Sequence, residues 1–103
     1  MKPSELIRKT GWTQNTYAKN ALGSTAAPKD PDAVCYCASG AILACYSEGI
    51  RGYSENELTQ SVYKLLTNYI CGGTTYYGGV IEWNDDPDRT KEEVIAALEA
   101  IGH

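Results

Sequence analysis

Residues 54–69 read Ser-Glu-Asn-Glu-Leu-Thr-Gln-Ser-Val-Tyr-Lys-Leu-Leu-Thr-Asn-Tyr and indicate the fold class. Ser54 and Glu57 match the capping box, in which each side chain bonds to the other residue's backbone N–H at a helix start. Apolar residues then recur at helical spacing, at Leu58, Val62, Leu65, Leu66 and Tyr69. This stretch predicts an amphipathic helix that ends at the glycine pair 72–73.

A second capping box lies near the C-terminus, where Thr90 is followed three positions later by Glu93. The apolar residues behind it form one helical face that stops before Gly102. Near the N-terminus, Pro3 and Ser4 precede a short apolar and charged run, which predicts a helix over 5–10. A further short helix is expected within 11–19.

The centre of the chain carries Asp30-Pro31-Asp32, and an aspartate cap followed by proline favours helix initiation. This predicts a central helix over 31–47, whose small residues at 38–41 would permit close approach of another helix or of backbone. We therefore expect a mainly all-α fold, a compact bundle of four or five helices. The Gly/Tyr-rich segment 72–79 is expected to be a loop, with a short hairpin as the alternative, and only residues 80–83 suggest strand alternation.

Length and charge restrict the classes of function. A chain of 103 residues fits a single domain spanning 1–103. A net charge of -4 supplies few phosphate contacts, so we expect no nucleic-acid partner. No apolar stretch reaches the roughly 20 residues that span a bilayer, so no membrane association is expected. The charged residues among the first ten argue against an export signal and predict a cytoplasmic location.

Four cysteines, Cys35, Cys37, Cys45 and Cys71, are expected to be free thiols in a reducing compartment. On a helix, the thiols of Cys35 and Cys37 would diverge, and no paired CxxC spacing supports zinc. The single histidine, His103, is the last residue, which makes a Cys-His catalytic pair improbable. We predict no metal and no cofactor.

The best candidate for a binding site is the run from Trp83 to Thr90, which combines an aromatic ring, an amide, acids and a base beside a helix start. The candidate residues are Trp83, Asn84, Asp85, Asp86 and Arg89, together with Tyr76 and Tyr77 of the Gly/Tyr-rich loop. Tyrosine supplies 8 of the aromatic residues and favours recognition surfaces. The alternative interpretation is structural: Trp83 anchors the core while Asn84 and Asp85 hold the turn.

The chain resembles a family of small uncharacterised proteins found in actinobacteria and in phage and plasmid sequences. The resemblance rests on Gly11-Trp12-Thr13-Gln14, on the run from Ala33 to Ile42, and on Val80 to Asp85 continuing through Arg89 to Val94. It covers nearly the whole chain and implies a mostly helical cytoplasmic domain of mobile-element origin. It implies no activity.

Three functional hypotheses follow. The first is a non-enzymatic accessory protein that binds a host protein or a small ligand through the tyrosine-bearing loop and the turn after Trp83. The second is a small hydrolase or transferase that uses Asp85, Asp86 and a cysteine, which requires these side chains to converge in one pocket. The third is a purely structural subunit, for which a large apolar surface patch would be the sign.

Overall fold

The computed structural model describes residues 1–71 and 79–103. Within these two ranges the chain forms five helices and three strands. In chain order they are α1 (Pro3–Lys9), β1 (Ala18–Asn20), β2 (Thr25–Ala26), β3 (Ala33–Tyr36), α2 (Ala38–Tyr46), α3 (Glu57–Cys71), α4 (Gly79–Asn84) and α5 (Lys91–Ala100).

The three strands form one antiparallel sheet in the order β2-β1-β3. Ala18 lies at its centre and pairs with Ala26 on one side and with Tyr36 on the other. The pairing with β3 shifts register between Lys19 and Asn20. The expectation of a mainly all-α bundle is therefore wrong, and the fold mixes α-helices with a β-sheet.

The predicted central helix accounts for most of this error. Asp30 does not cap a helix: its carboxylate accepts the backbone N–H of Asp32 at 2.8 Å, and its carbonyl accepts that of Ala33 at 3.0 Å. These bonds make a turn that leads into β3, and helix α2 begins only after Cys37, whose sulfur accepts the N–H of Gly40 at 3.2 Å. Aspartate stabilises turns as well as helix starts, so its presence alone did not distinguish the two.

Three smaller expectations are also corrected. The segment 11–19 contains no helix, since its last residues enter β1. The suggested strand over 80–83 lies in helix α4. The cap of α3 is formed by Asn56 and Thr59, each of whose backbone N–H groups bonds the other's side chain at 2.9 Å, and not by Ser54 and Glu57. The choice between loop and hairpin for the Gly/Tyr-rich segment falls on 72–78, outside the described residues.

The other helices agree with the sequence. Thr90 caps α5 with the predicted box: its N–H donates to the Glu93 carboxylate at 3.0 Å, and its hydroxyl accepts the Glu93 N–H at 3.2 Å. The helix ends before Gly102, which adopts a φ of +84°. Helix α1 packs on α2 and α5, and Ser4 bonds through N–H and hydroxyl to the carbonyl of His103, both at 3.0 Å.

The small residues of α2 allow the sheet region to approach this helix closely, as the sequence indicated. A methyl group placed on Gly40 would overlap the carbonyl oxygen of Tyr17, just before β1. That carbonyl also accepts the N–H of Cys37 at 3.0 Å. The buried core around this contact includes Ile7, Ala18, Ile42, Leu66, Val94 and Leu98. Tyr17 is thereby fixed against the first turn of α2.

In the described part of the chain, no helix combines the length and the apolar character that crossing a membrane requires.

Candidate functional site

The predicted turn begins at Asn84, the last residue of α4, whose side chain is completely buried. Its Oδ1 accepts the indole Nε1–H of Trp12 at 2.7 Å and the backbone N–H of Ala38 at 2.9 Å. Its Nδ2 donates to the carbonyl of Thr13 at 3.1 Å and to Oδ1 of Asp85 at 3.0 Å. One amide thus connects the segment after α1, the start of α2 and the end of α4.

The two aspartates after Asn84 bond to the same segment of chain. Asp85 Oδ1 accepts the backbone N–H of Asn15 at 2.9 Å, where Asn15 holds a left-handed φ of +67°. The side-chain amide of Gln14 donates to the carbonyls of Asn84 at 3.0 Å and Asp86 at 2.7 Å. The carboxylate of Asp86 accepts a nearby backbone N–H in its own turn. The polar groups of this turn therefore bind the chain itself.

Trp83 and Arg89 complete the turn as a stacked pair. The guanidinium carbon of Arg89 lies 4.2 Å from the ring centroid of the buried Trp83. Arg89 also donates from Nε to the Trp83 carbonyl at 3.0 Å and pairs with Glu93 at 3.1 Å. The five predicted residues of the turn are thus brought together, whereas Tyr76 and Tyr77 lie outside the described residues. These contacts link the beginning of the turn to its end.

A groove lies beside the turn. One cavity of about 230 Å³ is lined by Asn15, Thr16, Tyr17, Cys37, Ile81 and Asp85. A second cavity, of about 200 Å³, shares Tyr17 and Ile81 with the first and is otherwise lined by Ser39, Glu55, Tyr63, Thr67 and Val80. Because the two cavities share these two residues, they lie side by side. We call them together the Tyr17 groove.

The walls of the Tyr17 groove are held by the fold. The backbone of Tyr17 is fixed by Cys37 and Gly40, as described above. The hydroxyl of Tyr63, on α3, donates to the carbonyl of Ser39 at 3.3 Å. Asp85 is held by its bond to Asn15. The buried hydrogen-bond network around Asn84 therefore positions one end of this groove.

Cys37 lines the first cavity and is 4% exposed. Burial raises the pKa of its thiol to about 11, against the opposing effect of the bond from the Gly40 N–H, and the Asp85 carboxylate raises it further. The thiol is therefore protonated near neutral pH, and a protonated thiol is a poor nucleophile and metal ligand. The expectation that Cys35 and Cys37 share a helix is wrong, because Cys35 lies in β3 and Cys37 precedes α2.

The charges on the groove are of one sign. Among the described residues that line it, Glu55 and Asp85 carry carboxylates, and none is lysine, arginine or histidine. Burial raises the pKa of Tyr17 and of Tyr63. The Glu55 carboxylate raises the pKa of both phenols further. The groove thus presents aromatic rings and negative charge to solvent.

A larger cavity, of about 500 Å³, lies on another part of the surface, beside β2. Its lining includes Lys29, Asp30 and Arg51. Lys29 bonds through its ammonium to the carbonyl of Ser47, and its backbone pairs with Arg51. None of the residues predicted from the sequence lies in this cavity, and its charges are mixed. It gives no consistent indication of a ligand.

No group of three or more His, Cys, Asp and Glu side chains in residues 1–71 and 79–103 is arranged to hold a metal ion. The sulfurs of Cys35, Cys37 and Cys45 are free thiols. His103 bonds through Nδ1 to the hydroxyl of Tyr46 at 2.7 Å and does not line the Tyr17 groove. These positions give no Cys-His pair.

Sequence reasoning found Asp85 but missed the other residues of the groove. The relevant signals were the abundance of tyrosine and the small residues of α2, of which Gly40 is the one that contacts Tyr17. Neither signal indicates which tyrosine approaches which helix. Tyr17 and Tyr63 lie far apart in sequence, and only the folded chain places them in the same cavity.

Comparison with curated proteins found no match, and comparison with solved structures found none either. A comparison with protein-family models matched residues 3–102 to one described as a family of unknown function (DUF6197). That match covers almost the entire chain described above. The chain therefore belongs to the family of unknown function DUF6197.

Proposed function

We propose that this chain is a non-enzymatic binding protein and that the Tyr17 groove is where it takes its ligand, a small molecule or one side chain of a host protein. The observation that carries the proposal is the pair of adjoining cavities built around Tyr17 and Ile81. Binding pockets combine apolar and aromatic walls with a few fixed polar groups. The groove has this composition.

The turn from Trp83 to Arg89 contributes indirectly. Its polar atoms bond to the segment 11–15 and so fix Asp85 and the neighbouring wall of the groove. Only Asp85 of the turn lines a groove cavity. The turn is best interpreted as a support for the site, and the surface offered to the ligand is that of Tyr17, Tyr63 and Ile81.

The second candidate function, a hydrolase or transferase, has one observation in its favour. Asp85 and Cys37 line the same cavity, as that hypothesis requires, although Asp86 does not. The chemistry opposes it, because burial raises the pKa of the Cys37 thiol to about 11, although the bond from the Gly40 N–H acts in the opposite direction. A nucleophilic cysteine needs a depressed pKa or an adjacent base. We therefore prefer a binding function.

The third hypothesis, a structural subunit, is favoured by the outer face of α3. Leu58, Leu65 and Tyr69 are each about half exposed and recur on one side of this helix. Analytical ultracentrifugation tests it: a stable oligomer that Leu65→Lys dissociates would support assembly. A monomer across the accessible concentration range would count against it.

The mobile-element origin implied by the sequence resemblance belongs to the same proposal, as does the host partner of the first functional hypothesis. An accessory protein of this kind would act inside the host cell on a host protein or metabolite. Its negative charge of -4 disfavours nucleic acid as that partner. Gene neighbourhoods rich in phage or plasmid functions would support this origin.

The proposal is tested by screening chemically diverse small compounds against the isotopically labelled protein by NMR. We expect compounds that bind to shift the backbone resonances of 15–17, 37–39 and 80–81. Ile81→Lys should abolish these shifts, because Ile81 is 47% exposed and borders both cavities. Val34→Lys is the matched control, since Val34 is 42% exposed on β3 and lines neither cavity.

The proposal is wrong if no compound of any charge shifts the groove resonances. It is equally wrong if the shifts persist in Ile81→Lys while that variant keeps the native spectrum elsewhere.

A further inference from the structure

The polar groups exposed in the Tyr17 groove favour one class of ligand. Glu55 and Asp85 provide carboxylates on opposite sides of the shared residues Tyr17 and Ile81, one in each cavity. A ligand that lies across Tyr17 therefore meets negative charge in both cavities. Since no described lining residue is a base, nothing in these walls neutralises that charge.

Three backbone N–H groups beside the groove, which an anion could otherwise use, are already bonded within the chain. Helix α2 begins at this groove, and helix starts ordinarily attract anions through free N–H groups. Here the N–H of Ala38 donates to Asn84 and that of Gly40 donates to Cys37. The N–H of Asn15 donates to Asp85. These backbone N–H groups therefore give an anion no free donors, whereas the carboxylates of Glu55 and Asp85 are acceptors.

Aromatic surface accompanies the negative charge. Tyr17 and Tyr63 line the second cavity, and the ring of Tyr53 lies 5.9 Å from that of Tyr17 between centroids. Tyrosine faces attract cations, and aromatic groups with a nearby carboxylate recognise ammonium head groups. Val80 and Ile81 add apolar contact.

We infer that the Tyr17 groove selects a positively charged nitrogen carried on an apolar body, such as an alkylammonium or guanidinium group. This inference rests on the proposed binding function and adds the charge and chemical class of the ligand. The net charge of -4 acts in the same direction, because it attracts cations over a longer range. Each cavity has the size of a small head group, at about 230 and 200 Å³.

The test compares choline with 3,3-dimethyl-1-butanol, a neutral molecule of the same shape, by NMR titration. We expect choline to bind with a Kd on the order of millimolar, as befits so few atoms, and about fivefold more tightly than the neutral isostere. Added salt should lower the affinity for choline and leave the affinity for the neutral isostere unchanged. Glu55→Gln should lower the affinity for choline about threefold. Glu57→Gln removes an equal charge outside the groove and should change this affinity little.

A third ligand identifies the source of the cation. If a short arginine-containing peptide binds the groove more tightly than choline and loses affinity in Glu55→Gln, the inferred chemistry holds and the cation belongs to a partner protein. If choline binds more tightly than the peptide, the cation that the groove recognises belongs to a small molecule.

Two results separate the failure of this inference from that of the proposed function. Equal affinity for choline and its isostere, or tighter binding of carboxylates, overturns cation selectivity while groove binding stands. If no compound at all binds the groove, both conclusions fail. Loss of choline binding in Ile81→Lys with retention in Val34→Lys shows that the measured affinity belongs to the groove.

Discussion

Replacing Asn84 with alanine should destabilise the protein strongly, because this completely buried amide satisfies groups from three parts of the chain. Asn84→Ala leaves the indole N–H of Trp12, the backbone N–H of Ala38 and the carbonyl of Thr13 without their partner. A buried polar group left without a hydrogen bond costs at least about 1 kcal/mol. The expected loss in the free energy of unfolding is therefore about 3 kcal/mol.

For a domain of this size, about 1 kcal/mol shifts the melting temperature by roughly 5 °C. Asn84→Ala should therefore melt about 15 °C below the native protein, measured by far-ultraviolet circular dichroism with urea unfolding as a second method. Tryptophan fluorescence provides a local readout, because the bond to Trp12 is lost. Gln60→Ala is the control, since Gln60 is an exposed amide on α3 and its replacement should change little.

Asn84→Asp separates the effect of losing hydrogen bonds from the effect of losing side-chain volume. It preserves the shape and the acceptor for Trp12 but removes both donor bonds and places a buried carboxylate beside Asp85. It should be destabilised at neutral pH and recover in part as the pH is lowered, with recovery beginning above the usual carboxyl pKa of about 4, because burial and the nearby Asp85 raise the pKa of the new carboxyl group. An unchanged melting temperature in Asn84→Ala would refute this reasoning and indicate that Asn84 is retained for a ligand.

Three further predictions concern the same region. Gly40→Ala should lower the free energy of unfolding by about 3 kcal/mol or more, because the new methyl group overlaps the Tyr17 carbonyl. Chemical denaturation measures this loss. In the control Gly23→Ala, the new methyl group meets no atom within 4 Å, and the loss should be only about 1 kcal/mol. The stability contribution of Cys37, whose pKa is raised from 9.0 to about 11, should be fully present below pH 9 and be lost as the pH rises to about 11; Cys37→Ala should reduce this alkaline loss in a pH series of unfolding curves, and an unchanged series would contradict the burial of this thiol. Asp85→Ala should lower stability by about 1 kcal/mol, since its bonds are partly exposed; a higher melting temperature would instead indicate a carboxylate kept for binding.

The elements that could be predicted from the sequence are those whose determinants lie within one segment. Helix α5 carries its cap at Thr90 and its apolar face within the next turns, so local residues define it. The sheet has no such local signal. Its longest strand, β3, forms because residues 33–36 pair with β1, some fifteen positions earlier in the chain. The aspartate turn that precedes β3 has the same sequence pattern as a helix start. Propensity and capping rules do not include such pairings.

The candidate site divides in the same way. The residues of the turn after Trp83 are adjacent in sequence, and the structure brings their side chains together. Its bonds to Trp12 and Gln14 were not predictable, because they join segments about seventy residues apart. The groove was missed for the same reason: Tyr17 and Cys37 become neighbours only when Gly40 admits the backbone of the tyrosine.

The bonds of Asn84 also affect the order in which the molecule can be completed. They span 72 residues to Trp12 and 46 to Ala38, so they close long loops. Closing loops of this length costs chain entropy that only later contacts repay, which places such links late in folding. During synthesis, the β1–β2 hairpin can form early, whereas the groove is completed only after residues 84 and 85 have left the ribosome. A ligand in the groove would then stabilise the state in which these distant segments have come together, relative to partly folded precursors that lack the groove.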